Sequence, residues 1–200
     1  MASTLRLFIA VDLPDDALRY IGETVGELRR HGISGIRWIR GEGVHLTLKF
    51  LGNAPEEQVP GILSSMWSAV ARTPAFVLHV HGAGAFPNMR APRVLWLAIQ
   101  GDTEPLRMVH ERLEAALEAQ GFAREARAFS AHLTLGRMNG RMTAAALERL
   151  THAIEGLWAA HPLALPVTAL SLMESKLTPG GAIYRRVGQA PLGWRSPSCC

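Results

Sequence analysis

His45-Leu46-Thr47-Leu48-Lys49-Phe50-Leu51-Gly52 is echoed 87 residues later by His132-Leu133-Thr134-Leu135-Gly136-Arg137. The first four residues of each copy are identical, and the interval is a little under half of the 200-residue chain. Apolar and polar residues alternate in both copies, the period of a half-buried strand. In the first copy Val44, Leu46, Leu48 and Phe50 are expected on the core face, with His45, Thr47 and Lys49 opposite. In the second, Leu133 and Leu135 take the core face while His132 and Thr134 share the other. The same alternation sends Arg137 to the core side unless the strand bends at Gly136. Each copy therefore displays an imidazole and a hydroxyl about 6–7 Å apart along one strand face. One such tripeptide arises readily by chance. Two at half-chain spacing indicate an internal repeat, with both His-Thr pairs facing one cleft across a pseudo-two-fold axis.

The flanks repeat the same rhythm. Leu5 to Val11 alternates as a strand, and Pro14-Asp15-Asp16 opens a helix with Leu18, Ile21, Val25 and Leu28 on one face. A short strand is expected at 36–40, and a helix after Pro55 with Val59, Ile62, Leu63, Met66 and Val70 as its stripe. Ala75 to His81 and Arg93 to Gln100 are strand-like, separated by an expected Gly/Pro-rich loop from Gly82 to Pro92. Leu106, Val109, Leu113 and Leu117 mark a third helix, stopped at Gly121. Thr143 caps a fourth. Leu165 to Ser175 and Ala182 to Val187 close the chain as a hairpin about Pro179-Gly180-Gly181. Four helices among about eight short strands predict an α+β fold with antiparallel sheets, arranged as two pseudo-symmetric lobes around a cleft. One bilobal domain is expected over 1–188, followed by a loose tail over 189–200.

Composition sets the outer bounds. The chain is 48% hydrophobic and 19% charged, enough apolar content to bury a core and too little charge for a disordered tail. Of its 21 basic residues only Lys49 and Lys176 are lysines. Arginine's planar fork suits phosphate, although a net charge of +4 also fits an arginine-rich genome. The two cysteines, Cys199 and Cys200, are adjacent at the end and cannot staple the fold, so a reducing, cytoplasmic setting is expected. The apolar run at the N-terminus stops at Asp12 and Pro14, too soon for a signal peptide or a membrane span.

Two histidines and two threonines in one cleft suit in-line displacement at phosphorus. With an ordinary pKa near 6.5, one imidazole can take a proton while the other gives one. Threonine hydroxyls can hold the non-bridging oxygens where charge accumulates. Protons and hydrogen bonds then handle the charge, and no metal or other cofactor is called for.

The sequence resembles the 2H phosphoesterase superfamily, and within it the RNA 2′,3′-cyclic phosphodiesterases historically named 2′-5′ RNA ligases (LigT-like). The resemblance runs over roughly residues 5–188. It rests on both His-Leu-Thr-Leu motifs and on Arg6-Leu7-Phe8-Ile9-Ala10-Val11, Arg37-Trp38-Ile39, Gly84-Ala85-Phe86-Pro87, Pro92-Arg93-Val94-Leu95-Trp96 and Ser175 to Tyr184. It implies hydrolysis of a ribose 2′,3′-cyclic phosphate to a 2′-phosphate, with reversible 2′-5′ ligation as a companion activity. It implies that His45 is the proton donor, His132 the proton acceptor, and Thr47, Thr134 and Arg137 the phosphate contacts. Gly136 departs from the alanine frequent in the family. The implied partner is RNA with a 2′,3′-cyclic phosphate end or a 2′-5′ linkage, met by a monomer away from membranes. Alternatives are the same chemistry on a small cyclic nucleotide or a 2′-5′ oligonucleotide, or a non-catalytic RNA-binding module. Two neutral imidazoles serve mere phosphate binding poorly, which weighs against the last.

Other residues are less decided. Phe8 and Trp38 fit either stacking on a base or packing in the core. Tyr184, after the last turn, is a possible substrate contact. Arg90 and Arg93 fit either RNA phosphates or a solvated turn. His79 and His81 have a spacing that holds metals, but no third ligand is evident, so no metal site is expected.

Overall fold

The structure is a computed structural model and describes residues 3–159, 161–179 and 181–193. The elements run β1 (Thr4–Val11), α1 (Asp15–Arg30), β2 (Ile36–Trp38), β3 (Leu46–Pro55), α2 (Val59–Val70), β4 (Phe76–Phe86), β5 (Val94–Gln100), α3 (Glu104–Glu118), β6 (His132–Met138), α4 (Ala144–Ala159), β7 (Leu163–Val167), β8 (Ala169–Thr178) and β9 (Gly181–Pro191). Single turns of 3-10 helix at Gly41–Gly43 and Glu56–Gln58 precede β3 and α2.

The fold is α+β with antiparallel pairing throughout, as the patterning predicts. The strand order is β7-β4-β5-β6-β3-β1-β8-β9, with β2 added on β6. That order is a palindrome about the β6/β3 boundary. β5 and β1 flank the two motif strands, β4 and β8 come next, and β7 and β9 lie outermost. The two expected sheets are thus two halves of one sheet, joined where Leu46 pairs with Leu133. Each chain half also sends strands to the other side. β8 and β9, from the second half, pair beside β1, while β4, from the first, pairs beside β5.

Helix faces follow the periodicity. Ile21, Val25 and Leu28 of α1 are buried, with Asp15 and Asp16 in its first turn and Arg29 and Arg30 in its last, as the helix dipole favours. Thr143 Oγ1 accepts the Ala146 N–H at 3.2 Å and caps α4.

Three sequence expectations need correction. Gly82 to Phe86 continue β4 and are not a loop. A Cβ on Gly82 would lie 2.5 Å from the Trp158 ring, and one on Gly84 2.6 Å from Trp96. These glycines admit indoles onto a strand, a packing role that composition alone reads as a turn. Second, Gln189 to Pro191 belong to β9, opposite Ala169 to Ser171, and Ala190 is fully buried. The strand therefore outruns the boundary expected at 188; positions 194–200, with Cys199 and Cys200, lie outside the described residues, as does Gly180 of the closing turn.

The third correction decides the site. Along β1, Ile9 pairs with Lys49 but Ala10 pairs with Thr47, so Leu48 is a bulge. One extra residue sends those after it to the opposite face, until a second extra residue, Leu51, restores the alternation and Ala54 is buried again. Lys49 turns into the core at 1% exposure, and Phe50 turns out at 63%. The second motif does the same: Leu95 pairs with Gly136 but Trp96 with Thr134, which leaves Leu135 extra. Arg137 is consequently exposed, off the core side. Phe50 and Arg137, each three residues past its threonine, occupy equivalent positions.

Candidate active site

His45 enters β3 directly from the turn at Gly41–Gly43, and His132 is the first residue of β6. Both rings are held alike. His45 Nδ1 lies 3.2 Å from the Gly43 carbonyl, and His132 Nδ1 lies 2.7 Å from the Ser130 carbonyl. A carbonyl can only accept, so each Nδ1 carries the proton and each Nε2 is left for exchange with a ligand. Gly43 gives close packing here: a Cβ would lie 3.2 Å from both Ile39 Cγ2 and Tyr184 Cε2 and would press on the ring beside His45.

Aromatic rings orient the imidazoles. Phe8 and Tyr184 meet His45 edge-on at centroid distances of 5.4 and 4.9 Å. Phe86 meets His132 edge-on at 5.0 Å. Burial pushes the His45 pKa below its ordinary value; the Gly43 carbonyl and the charge of Asp12 oppose that shift in part. Asp12 is itself anchored, accepting from Ser171 Oγ at 2.7 Å and from Arg186 at 2.8 Å.

A cleft of about 280 Å³ opens over the junction of the two half-sheets. His45, Thr47, Thr134 and Arg137 line it, with Phe8 and Tyr184. His132 is not among the lining residues; it stands two positions from Thr134 on the same face, against Phe86. The antiparallel register through Leu46 and Leu133 sets His45 abreast of Thr134 and Thr47 abreast of His132. Each imidazole therefore has a hydroxyl along its own strand and another across the junction.

The remaining expectations sort clearly. Trp38 sits on β2 opposite Gly136 and packs against the core. A Cβ on Gly136 would lie 2.7 Å from Ile36 Cγ2, so glycine here lets β2 approach. His81 approaches the Trp158 carbonyl at 3.2 Å and Gln100 Oε1 at 3.4 Å. Among the described residues no group of three or more His, Cys, Asp or Glu is placed to hold a metal ion. Neither Arg90 nor Arg93 lines the cleft. Sequence reasoning missed Phe50, Leu177, Ser175 and Arg6, all of which do. Alternation across an unseen bulge hid Phe50, and nothing in the motif marks that bulge.

The model of one family, the 2′-5′ RNA ligase superfamily, matches residues 14–178 and so takes in both motifs. The chain belongs to that superfamily. Among its members it is similar to the RNA 2′,3′-cyclic phosphodiesterase of Thermotoga maritima, 32% identical over 90% of this chain and 92% of the relative. It is likewise similar to the RNA 2′,3′-cyclic phosphodiesterase of Archaeoglobus fulgidus, 34% identical over 90% and 97%. Among solved structures, TT0787 of Thermus thermophilus superposes with a TM-score of 0.73 and 27% identity over 94% of this chain and 97% of that one. Escherichia coli LigT, solved with 3′-AMP, superposes at 0.72 over 96% and 100%; at 24% identity that likeness speaks to the fold alone.

Proposed function

We propose that this superfamily member hydrolyses 2′,3′-cyclic phosphates at RNA ends to 2′-phosphates. The observation that carries the reading is the matched presentation of two imidazoles, each with Nδ1 on a carbonyl two residues back and a threonine two residues on. The names of the relatives supply the substrate class.

In this mechanism His132 Nε2 takes a proton from water as its oxygen attacks phosphorus. The bond from phosphorus to the 3′-oxygen breaks, and His45 Nε2 delivers its proton to that oxygen. The phosphate stays on the 2′-oxygen. Thr47 and Thr134 donate hydrogen bonds to the non-bridging oxygens, and Arg137 adds a charged fork. Burial keeps His45 neutral before an anion arrives. The phosphate's negative charge then favours its imidazolium, so the proton donor is charged by the substrate it serves. The same steps, with a ribose 5′-hydroxyl attacking in place of water, join a 2′-5′ linkage.

The cleft is built within one chain, which supports action as a monomer. No helix among the described residues is long and apolar enough to cross a membrane. We place the enzyme in the cytoplasm on its cysteine usage and treat the reaction as metal-independent, with no cofactor. The test is incubation with an RNA oligonucleotide ending in a 2′,3′-cyclic phosphate, in EDTA. A 2′-phosphate product is expected. A 3′-phosphate product, or turnover that returns only with a divalent ion, overturns the mechanism.

A further inference from the structure

The two motif histidines lean on carbonyls that are held in unlike ways. Gly43 sits in a bonded turn: its N–H donates to the Arg40 carbonyl at 2.8 Å, and the Val44 N–H to the Gly41 carbonyl at 3.1 Å. Ser130 sits near the end of a connection from α3 to β6 that has neither helix nor strand. Among the described residues, no backbone–backbone hydrogen bond holds positions 123–129 of that connection. Buried side chains hold it instead. Lys49 Nζ donates to the Ala123 carbonyl at 2.8 Å and meets Glu114 Oε1 at 2.7 Å. The other carboxylate oxygen, Glu114 Oε2, accepts from the Glu125 N–H at 3.2 Å. One turn earlier on α3, His110 lies 3.8 Å from Glu114 and stacks on Phe129, with ring centroids 4.2 Å apart and planes 16° from parallel. The residue after Phe129 is Ser130, whose carbonyl lies 2.7 Å from His132 Nδ1.

Lys49 stands four residues past His45 on the strand of the first motif, and it faces inward because Leu48 bulges. It thus ties the first motif to the segment that leads into the second. Apolar side chains could fill the same space with little loss of stability. They could not pair with Ala123 and Glu125, whose backbone groups would turn to water and carry the segment with them. Resting on the phosphodiesterase reading above, we propose that Lys49 and Glu114, with His110 and Phe129, are positioning residues for His132: they fix the segment whose end offers the Ser130 carbonyl to Nδ1, and so keep Nε2 bare for the proton of water. The histidine of one motif is set by the lysine of the other. His45 owes nothing to this device, because its carbonyl is held by its own turn.

The test uses the full chain with Lys49→Met and Glu114→Leu together, a pair that leaves no charge stranded. On a 2′,3′-cyclic phosphate oligonucleotide, kcat is expected to fall about ten- to hundredfold, with KM little changed. Nitrogen NMR of the imidazoles, at a pH where both are neutral, reads the tautomers directly. His132 is expected to pass from the Nδ1–H form to a mixture, while His45 keeps Nδ1–H. Phe129→Leu keeps apolar bulk and the ion pair but loses the stack, and it is expected to shift His132 in the same direction by less. Wild-type kcat in the folded double variant overturns the proposal. So does a His132 unchanged in both variants, or a His45 that shifts as far as His132. The spectrum needs no substrate: a protein without cyclic phosphodiesterase activity whose His132 alone shifts refutes the reaction and keeps the positioning.

Discussion

Leu46 of β3 stands opposite Leu133 of β6, and among the described residues this one register pair joins the two halves of the sheet. Both side chains are fully buried. A joint one pair wide leaves Thr47 and Thr134 on strands that separate at once to either side. A phosphate held by both threonines ties the halves together. A non-hydrolysable nucleotide phosphate is therefore expected to raise thermal stability, by about 2.7 kcal/mol at a hundred times its Kd. Calorimetric melting with and without the ligand measures this. An equal gain in a Thr47→Val, Thr134→Val double variant contradicts the bridge.

In the proposed mechanism, loss of either imidazole removes one proton transfer. His45→Ala and His132→Ala are each expected to lower kcat about 10²–10⁴-fold, with far less effect on ligand binding. Single-turnover kinetics on a cyclic-phosphate oligonucleotide decides it, and a variant with normal turnover removes that histidine from the mechanism.

The depressed pKa of His45 has two consequences of definite sign. Its folded value lies below the unfolded value near 6.5, so the unfolded chain binds more protons as pH falls through that region. His110 is lowered in the same direction, chiefly by burial. Stability is therefore full above about pH 6.5 and declines as pH drops from there towards the folded values. Urea unfolding between pH 5 and 8 tests this, and His110→Asn should flatten the slope. Binding works the other way. A cyclic diester of fixed charge, added to the His132→Ala variant at neutral pH, should draw a fraction of a proton onto His45. Calorimetry in buffers of differing ionisation enthalpy reports that uptake.

Arg137 owes its place to the bulge at Leu135, and in the proposed mechanism it acts by its fork. Arg137→Lys keeps the charge but loses paired donation. A fall in kcat/KM of roughly tenfold is expected, and a larger one for Arg137→Ala, as suits a charged hydrogen bond. Indistinguishable Lys and wild-type kinetics would show that only the charge matters.

The bulge at Leu48 commits Lys49 to the interior. Its Nζ meets Glu114 Oε1 at 2.7 Å and donates to the Ala123 carbonyl at 2.8 Å, with both side chains nearly inaccessible. Lys49→Met alone strands a buried carboxylate and is expected to cost about 3–5 kcal/mol. Lys49→Met with Glu114→Leu should recover most of that, because the charge then has no partner to miss. Chemical denaturation of these two variants and of Glu114→Leu alone closes the cycle.

The four motif residues were legible because their side chains lie within two positions of one another, a span over which strand alternation holds. Legibility failed one residue further on. Lys49, Phe50 and Arg137 each follow a bulge that reverses the faces just after it, and a leucine in a leucine-rich strand does not announce one. Gly82 and Gly84 misled for a related reason. Their missing Cβ atoms make room for Trp158 and Trp96, partners distant in sequence from the glycines. The palindromic sheet order was foreshadowed by the repeat, but the destination of β4 and β8 depends on pairings that no local pattern encodes.

That exchange of strands has a bearing on how the molecule can be divided. A cut in the segment 87–93, between β4 and β5, leaves neither fragment with a finished half-sheet. The first piece keeps β1 and β3 without β8 and β9; the second keeps β5, β6 and β7 without β4 between them. Complementation of the two fragments, not autonomous folding of either, is the outcome this topology dictates. By the same logic, a lone copy of the repeat would find its missing strands only in a second copy, as a strand-swapped pair with one motif histidine from each copy at its axis.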